Sequence, residues 1–277
     1  MKNINLFNRV GALLIITGLL NSCTDVIDVK VPNGGARLVV DASINWQKGT
    51  SGETQTIKLR ESTAFFNSNP DVPLTGASVT VTKENDGAIF VFSDENNGSY
   101  TTTDFVPEIG ASYTLKILYS GNSYTATETL IAAPVINRIE QTIEGSDGDT
   151  EIQLQVFFDD AGDVENYYLG EFTPSNLPLP SLAVISDEFT DGNENYIEND
   201  NENYGAGVTV GINVYGISQR YYNYLNILIQ QSGTDENGPF PTTPVQLKGN
   251  CTSVNSNEEV LGYFRLSEFD ATSYTLN

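Results

Sequence analysis

Few side chains in this 277-residue chain are suited to chemistry, and their types narrow what it can do. Histidine is absent, which removes Ser-His-Asp and Cys-His catalysis, histidine general bases and histidine-ligated metals. The only cysteines are Cys23 and Cys251. Cys23 closes the run Leu20-Asn21-Ser22-Cys23, behind an apolar stretch from Val10 to Leu20 that follows Lys2 and Arg9. A basic start, a short apolar core and a small residue before a cut make a secretory signal, and the core is too short to span a bilayer, which needs about 20 residues. Cleavage would leave Cys23 first in the chain, where its thiol can take a diacylglyceryl group. Cys251 then has no intramolecular partner, so no disulfide framework is expected, and it reads as a small buried apolar residue.

Carboxylates are the other reactive class. Asp187, Glu188, Asp191, Glu194, Glu198, Asp200 and Glu202 crowd into residues 187–204. Calcium takes six to eight oxygens of this kind, which makes Asp187, Asp191 and Asp200 calcium candidates. The spacing matches no EF-hand loop, so the first expectation is a solvated loop. A second cluster, Asp159-Asp160-Ala161-Gly162-Asp163 with Glu165, reads as a turn between two strands before it reads as a metal site. Carboxylate-pair hydrolysis needs two acids about 5–10 Å apart in a cleft, and the sequence singles out no such pair. A hydrolase is therefore the least favoured reading. With 36 acidic against 13 basic residues and a formal charge of −23, nucleic acid and anionic headgroups are excluded as electrostatic partners.

Aromatic residues are the remaining candidates. Tyr221, Tyr222 and Tyr224 share one helix-like segment and cannot all face a core, so one or two are expected at the surface as binding anchors. Pro239, Pro241 and Pro244 stiffen the segment around Phe240. An exposed Phe240 would be a preorganised anchor; the alternative is that it plugs the end of a sandwich.

The elements that must hold these residues read as mainly β. Residues 1–22 are the leader and 23–36 a lipidated tether, with a breaker cluster at Pro32-Asn33-Gly34-Gly35. Residues 37–133 carry about seven short runs of alternating polarity, from Leu38–Ile44 to Tyr124–Thr127, divided by Asn85-Asp86-Gly87 and Asn96-Asn97-Gly98 turns. That pattern predicts an immunoglobulin-like β-sandwich. Ala132-Ala133-Pro134 is the expected boundary. Residues 134–277 read as a second β-sandwich-like domain, with strands at 152–158, 166–172 and 208–215 and a bulge expected at Gly211. Ile217, Tyr221, Tyr224, Leu225, Leu228 and Ile229 fall at helical spacing. They predict one amphipathic helix near 217–231, capped by Ser218 and stopped at Gly233.

Three stretches resemble one family. Val72-Pro73-Leu74-Thr75-Gly76-Ala77 leads through Asn97-Gly98-Ser99-Tyr100 to Gly110-Ala111-Ser112-Tyr113. Gly238-Pro239-Phe240-Pro241-Thr242-Thr243-Pro244 is followed by Leu247-Lys248-Gly249-Asn250 and Leu261-Gly262-Tyr263-Phe264, and Tyr221-Tyr222-Asn223-Tyr224-Leu225 sits on the aromatic helix. This order is similar to the Bacteroidota lipoproteins of the DUF4249 family (domain of unknown function 4249), and the leader resembles a bacterial lipoprotein signal peptide. The resemblance implies an outer-membrane lipoprotein, diacylated at Cys23, facing the cell surface and accompanying a TonB-dependent transporter as a non-catalytic accessory or ligand-capture subunit. It implies no catalytic residue. Asp25 and Asp28 are the acids nearest the anchor, where such residues mark surface export in this phylum. The competing expectation is a structural or adhesive surface lipoprotein.

Overall fold

The computed structural model describes residues 35–64, 72–144, 151–232 and 245–277. Cys23, Phe240, the Gly238–Pro244 segment and the expected stop at Gly233 lie outside them. Residues 35–277 form one compact unit.

Among the described residues, eight strands precede Pro134: β1 (Leu38–Gln47), β2 (Gln55–Glu61), β3 (Val72–Pro73), β4 (Ser78–Lys83), β5 (Ile89–Asp94), β6 (Ser99–Thr102), β7 (Ser112–Tyr119) and β8 (Asn122–Thr129). Burial alternates along most of them, as it must where one face of a sheet is covered. The inward residues, among them Val40, Ile57, Val81, Tyr100, Tyr113 and Leu115, make the first core. β5 pairs with β4 through Ile89–Phe92 and with β6 through Ser93 and Asp94, so it turns the corner between the two leaves of a sandwich.

The remaining strands among the described residues are β9 (Ile136–Glu144), β10 (Glu151–Asp159), β11 (Tyr167–Pro174), β12 (Ser181–Ser186), β13 (Glu194–Asp200), β14 (Thr209–Ile217), β15 (Thr252–Ser253) and β16 (Leu261–Thr275), and these residues also hold a helix, α1 (Gln219–Ser232). β13-β10-β9 forms a three-stranded sheet. It closes over β11 and β14 through Leu154, Val156, Phe158, Tyr168, Phe172, Val210 and Ile212, the second core. The opposite face of β11 and β14 carries Tyr167, Leu169, Tyr215 and Ile217, which α1 covers with Leu225 and its tyrosines. Alternate residues of these strands thus serve different cores, which explains the continuous burial of 167–170 and 214–217. Ser218 caps α1 through its Oγ, which accepts from Tyr221 N at 3.3 Å.

The two cores share one strand. β16 pairs parallel with β1 from Val39↔Leu261 to Gln47↔Phe269, and antiparallel with β14 from Tyr215↔Phe269 to Thr209↔Thr275. Phe264 and Leu266 belong to the first core although they lie near the C-terminus. The passage at Ala133 is fastened to the same strand: Ala133 N donates to Glu268 Oε2 at 2.9 Å and Ile136 N to Asp270 Oδ2 at 2.9 Å. The expected boundary therefore marks a change of core, while the sheet itself, 13-stranded with β3 paired off its main path to β2, runs through it.

Two expectations are corrected. Gly211 sits in regular register between Thr173 and Ser273, and the register shift falls between Phe157 and Phe158 instead. Residues 187–204 are not one solvated loop, because β13 occupies Glu194–Asp200 and buries Asn195, Ile197 and Asn199.

The Lys248–Asn250 and Leu261–Phe264 motifs acquire a structural reason. Gly262 has φ +87° and its missing Cβ would lie 2.0 Å from Val40 O; a Cβ on Gly249 would lie 1.6 Å from Gly262 O. Only glycine allows three backbones to approach this closely. Beside them, Asn250 Oδ1 accepts from Phe264 N at 2.8 Å and Asn250 Nδ2 donates to Phe264 O at 2.6 Å. The amide takes the place of a neighbouring strand on the edge of β16 that faces away from β1.

Candidate functional site

Two loops at one end of the second core bring acids together. One follows β10, the other follows β12. Asp160, Asp187 and Asp191 each present a carboxylate oxygen, and the three atoms lie within 4.8 Å of one another. Asp160 and Asp187 are buried and Asp191 is exposed. The loops touch at Gly162 and Gly192, where a Cβ on either would stand 3.2 Å from the other's Cα.

Asp160 is well supported. Tyr168 donates its hydroxyl proton to Oδ1, and Gly192 N donates to Oδ2 at 3.0 Å. Burial, and secondly the bond to Asp160, push the Tyr168 phenol far above its ordinary range, so it stays a donor. Asp187 differs. It is 1% exposed, its Oδ1 accepts no hydrogen bond from a described residue, and its Oδ2 has only Asn166 Nδ2 at 3.4 Å. That amide already donates to Ala161 O at 2.8 Å and Val164 O at 2.6 Å, which uses both its hydrogens.

The structure thus unites Asp187 and Asp191 with Asp160 from the other acidic stretch. Asp200 stays apart: it is the last residue of β13, about 20 Å along the strand from the loop, and stands opposite Gln153.

The tyrosines of α1 are all half-buried, so each keeps part of its surface accessible and none stands wholly free. Tyr221 and Tyr224 pack on Tyr263 with ring centroids 4.8 and 4.9 Å away, and Tyr222 packs on Tyr167 at 4.9 Å. Burial raises the phenol pKa of Tyr221 and Tyr224.

A second feature was not anticipated. The outer face of β1 and β2 and the turn between them form a polar groove of about 700 Å³ lined by Asp41, Ser43, Asn45, Glu53, Lys58 and Arg265, among others. Arg265 is 7% exposed. Its guanidinium lies 4.7 Å from the Tyr215 ring centre and 5.4 Å from that of Tyr221, and its Nε donates to Ser43 Oγ at 3.3 Å. Arg265 Nη1 and Asn45 Oδ1 are buried without a described hydrogen-bond partner. A lone charge in the apolar run Tyr263-Phe264-Arg265-Leu266 was the available sequence signal.

The fold and these sites define a mainly β protein of sandwich-like sheets with one helix packed on their flank. The chain belongs to the family described as Domain of unknown function (DUF4249), which it matches over residues 24–273. No curated protein matches it in sequence. Among solved structures it is similar to a DUF4785 family protein from Legionella pneumophila, at 7% identity and TM-score 0.26 over 65% of this chain and 52% of that one. It is similar to a two-domain fibronectin type-III segment of chicken tenascin, at 13% identity and TM-score 0.22 over 58% of this chain and 83% of that one. The FN1-FN3 domains of chicken CNTN1 match at 14% identity and TM-score 0.28 over 68% of this chain and 64% of that one. The chain spans about half of the Legionella protein.

Proposed function

We propose that this chain is a non-catalytic capture protein, anchored in the outer membrane of a Bacteroidota cell by a diacylated Cys23, facing the cell surface and serving a TonB-dependent transporter. The groove on β1 and β2 is the observation that carries the reading. It offers hydrogen-bonding groups, the Arg265 guanidinium and the Phe269 ring, and the shared sheet forms its base with the turn between β1 and β2 beside it, so a polar ligand would meet a largely preformed surface. The leader that ends just before Cys23 supports the anchor.

The test is co-purification. Tagged protein extracted from native outer membranes should bring down a TonB-dependent transporter, and Cys23→Ala should move the protein from the membrane to the soluble fraction with its fold intact. Recovery of no transporter across several growth substrates would overturn the partnership. Hydrolysis of a glycan or peptide by the purified protein would replace capture with catalysis.

A further inference from the structure

Asp187 poses an electrostatic problem that the protein groups around it do not solve. A buried carboxylate is tolerated when donors or an opposite charge compensate it. Here one oxygen has no described partner and the other has a single long contact. Among the described residues no lysine or arginine forms an ion pair with Asp160, Asp187 or Asp191. Yet the chain adds charge at this point. Asp160 comes from a different loop, and the exposed Asp191, which has solvent available, also places an oxygen within 4.8 Å of the other two. A proton shared between two carboxylates would account for a pair. It gives no reason for the third to converge.

We propose that the loops after β10 and β12 form a calcium site, with Asp160, Asp187 and Asp191 as ligands. Each carboxylate supplies one or two oxygens, and water completes the shell on the open side at Asp191. The donors are all hard oxygens, which suits calcium and disfavours softer metals. Oxygens that all lie within 4.8 Å of one another can reach one ion through calcium–oxygen bonds of about 2.4 Å, and an irregular set completed by water suits calcium better than magnesium, which demands near-ideal octahedral geometry. The Tyr168 hydroxyl and Gly192 N–H each hold one oxygen of Asp160 in place, the supporting role usual around metal ligands. The inference is independent of the transporter reading, since it uses none of the residues that line the groove.

The purified full chain, freed of metal with a chelator, should bind one Tb³⁺ whose emission is excited through tyrosine, Tyr168 being in contact with a ligand, and calcium should displace it. Calorimetry should give one calcium per chain with a Kd of about 10⁻⁵–10⁻³ M and clearly weaker binding of magnesium. Asp191→Asn, at an exposed position, should keep the fold and weaken calcium at least about tenfold. Asp187→Asn should abolish binding and melt no lower than the metal-free parent, because it removes the uncompensated charge. Asp200→Asn should bind like the parent. The proposal fails if neither ion gives a signal at about 10 mM, well above the weakest sites of this kind. It fails equally if magnesium binds as well as calcium, or if Asp187→Asn and Asp191→Asn leave the affinity unchanged.

Discussion

Replacing Asn250 with alanine should be among the most damaging single changes in the chain. Its side chain makes two hydrogen bonds to the backbone of Phe264, at 2.6 and 2.8 Å, with Asn250 4% and Phe264 0% exposed. Asn250→Ala strands both the N–H and the C=O of Phe264 away from water. Each buried backbone group without a partner costs about 1–3 kcal/mol, so the loss from two should be about 2–6 kcal/mol. Asn255 is the matched control. Its Oδ1 accepts from Ser123 N at 2.9 Å and its Nδ2 donates to Gly121 O at 3.0 Å, the same pair of bonds at an exposed site. There water replaces the amide, and Asn255→Ala should cost about 1 kcal/mol or less. Urea unfolding of parent and variants, followed by tryptophan fluorescence, gives both values. Equal losses in the two variants would refute the argument, because burial is the only term that separates them.

Gly262→Ala should cost about 3–5 kcal/mol, combining left-handed strain with overlap against Val40 O. Gly205→Ala, where a Cβ meets nothing within 4 Å, should melt like the parent; similar melting of both variants would contradict the close approach. Burial pushes the Cys251 thiol up to about 12, above its unfolded value of about 8.5. Its neutral form is therefore favoured by folding, and the stability this gives is complete below about pH 8.5 and lost as pH rises toward 12. By pH 10 the loss should reach about 2 kcal/mol. In a Cys23→Ala background the native chain should label slowly with a thiol reagent at pH 9 and rapidly in urea; equal rates would overturn the assignment.

Much of the first sandwich was legible because its information is local. The Asn85-Asp86-Gly87 turn, for example, has Ala88 N bonded to Asp86 Oδ1 at 3.0 Å and Gly87 at φ +72°. The helix was legible for the same reason, since its apolar spacing and Ser218 cap are written within one segment. β13 was hidden because its inward positions include Asn195 and Asn199, which bond to Thr190 and Ser181 instead of packing as hydrophobes. β16 was hidden because both faces of its centre are covered, including Arg265, Ser267 and Glu268, so its burial pattern has no period of two. The convergence of Asp160 with Asp187 depends on the pairing of β11 with β12 and of β10 with β13. No local pattern records such a meeting.

The position of β1 has a mechanical consequence. It starts at Leu38, just beyond the segment that would tether the chain, and it lies between β2 and β16. Tension on such a tether runs along the axis of β1. The ladder from Val39↔Leu261 to Gln47↔Phe269 then lies across the line of pull, so its hydrogen bonds share the load together and do not open one after another. A protein dragged by flow or by a retreating partner would take the strain at an interior strand, loaded in shear, before the loops that carry the acids are disturbed.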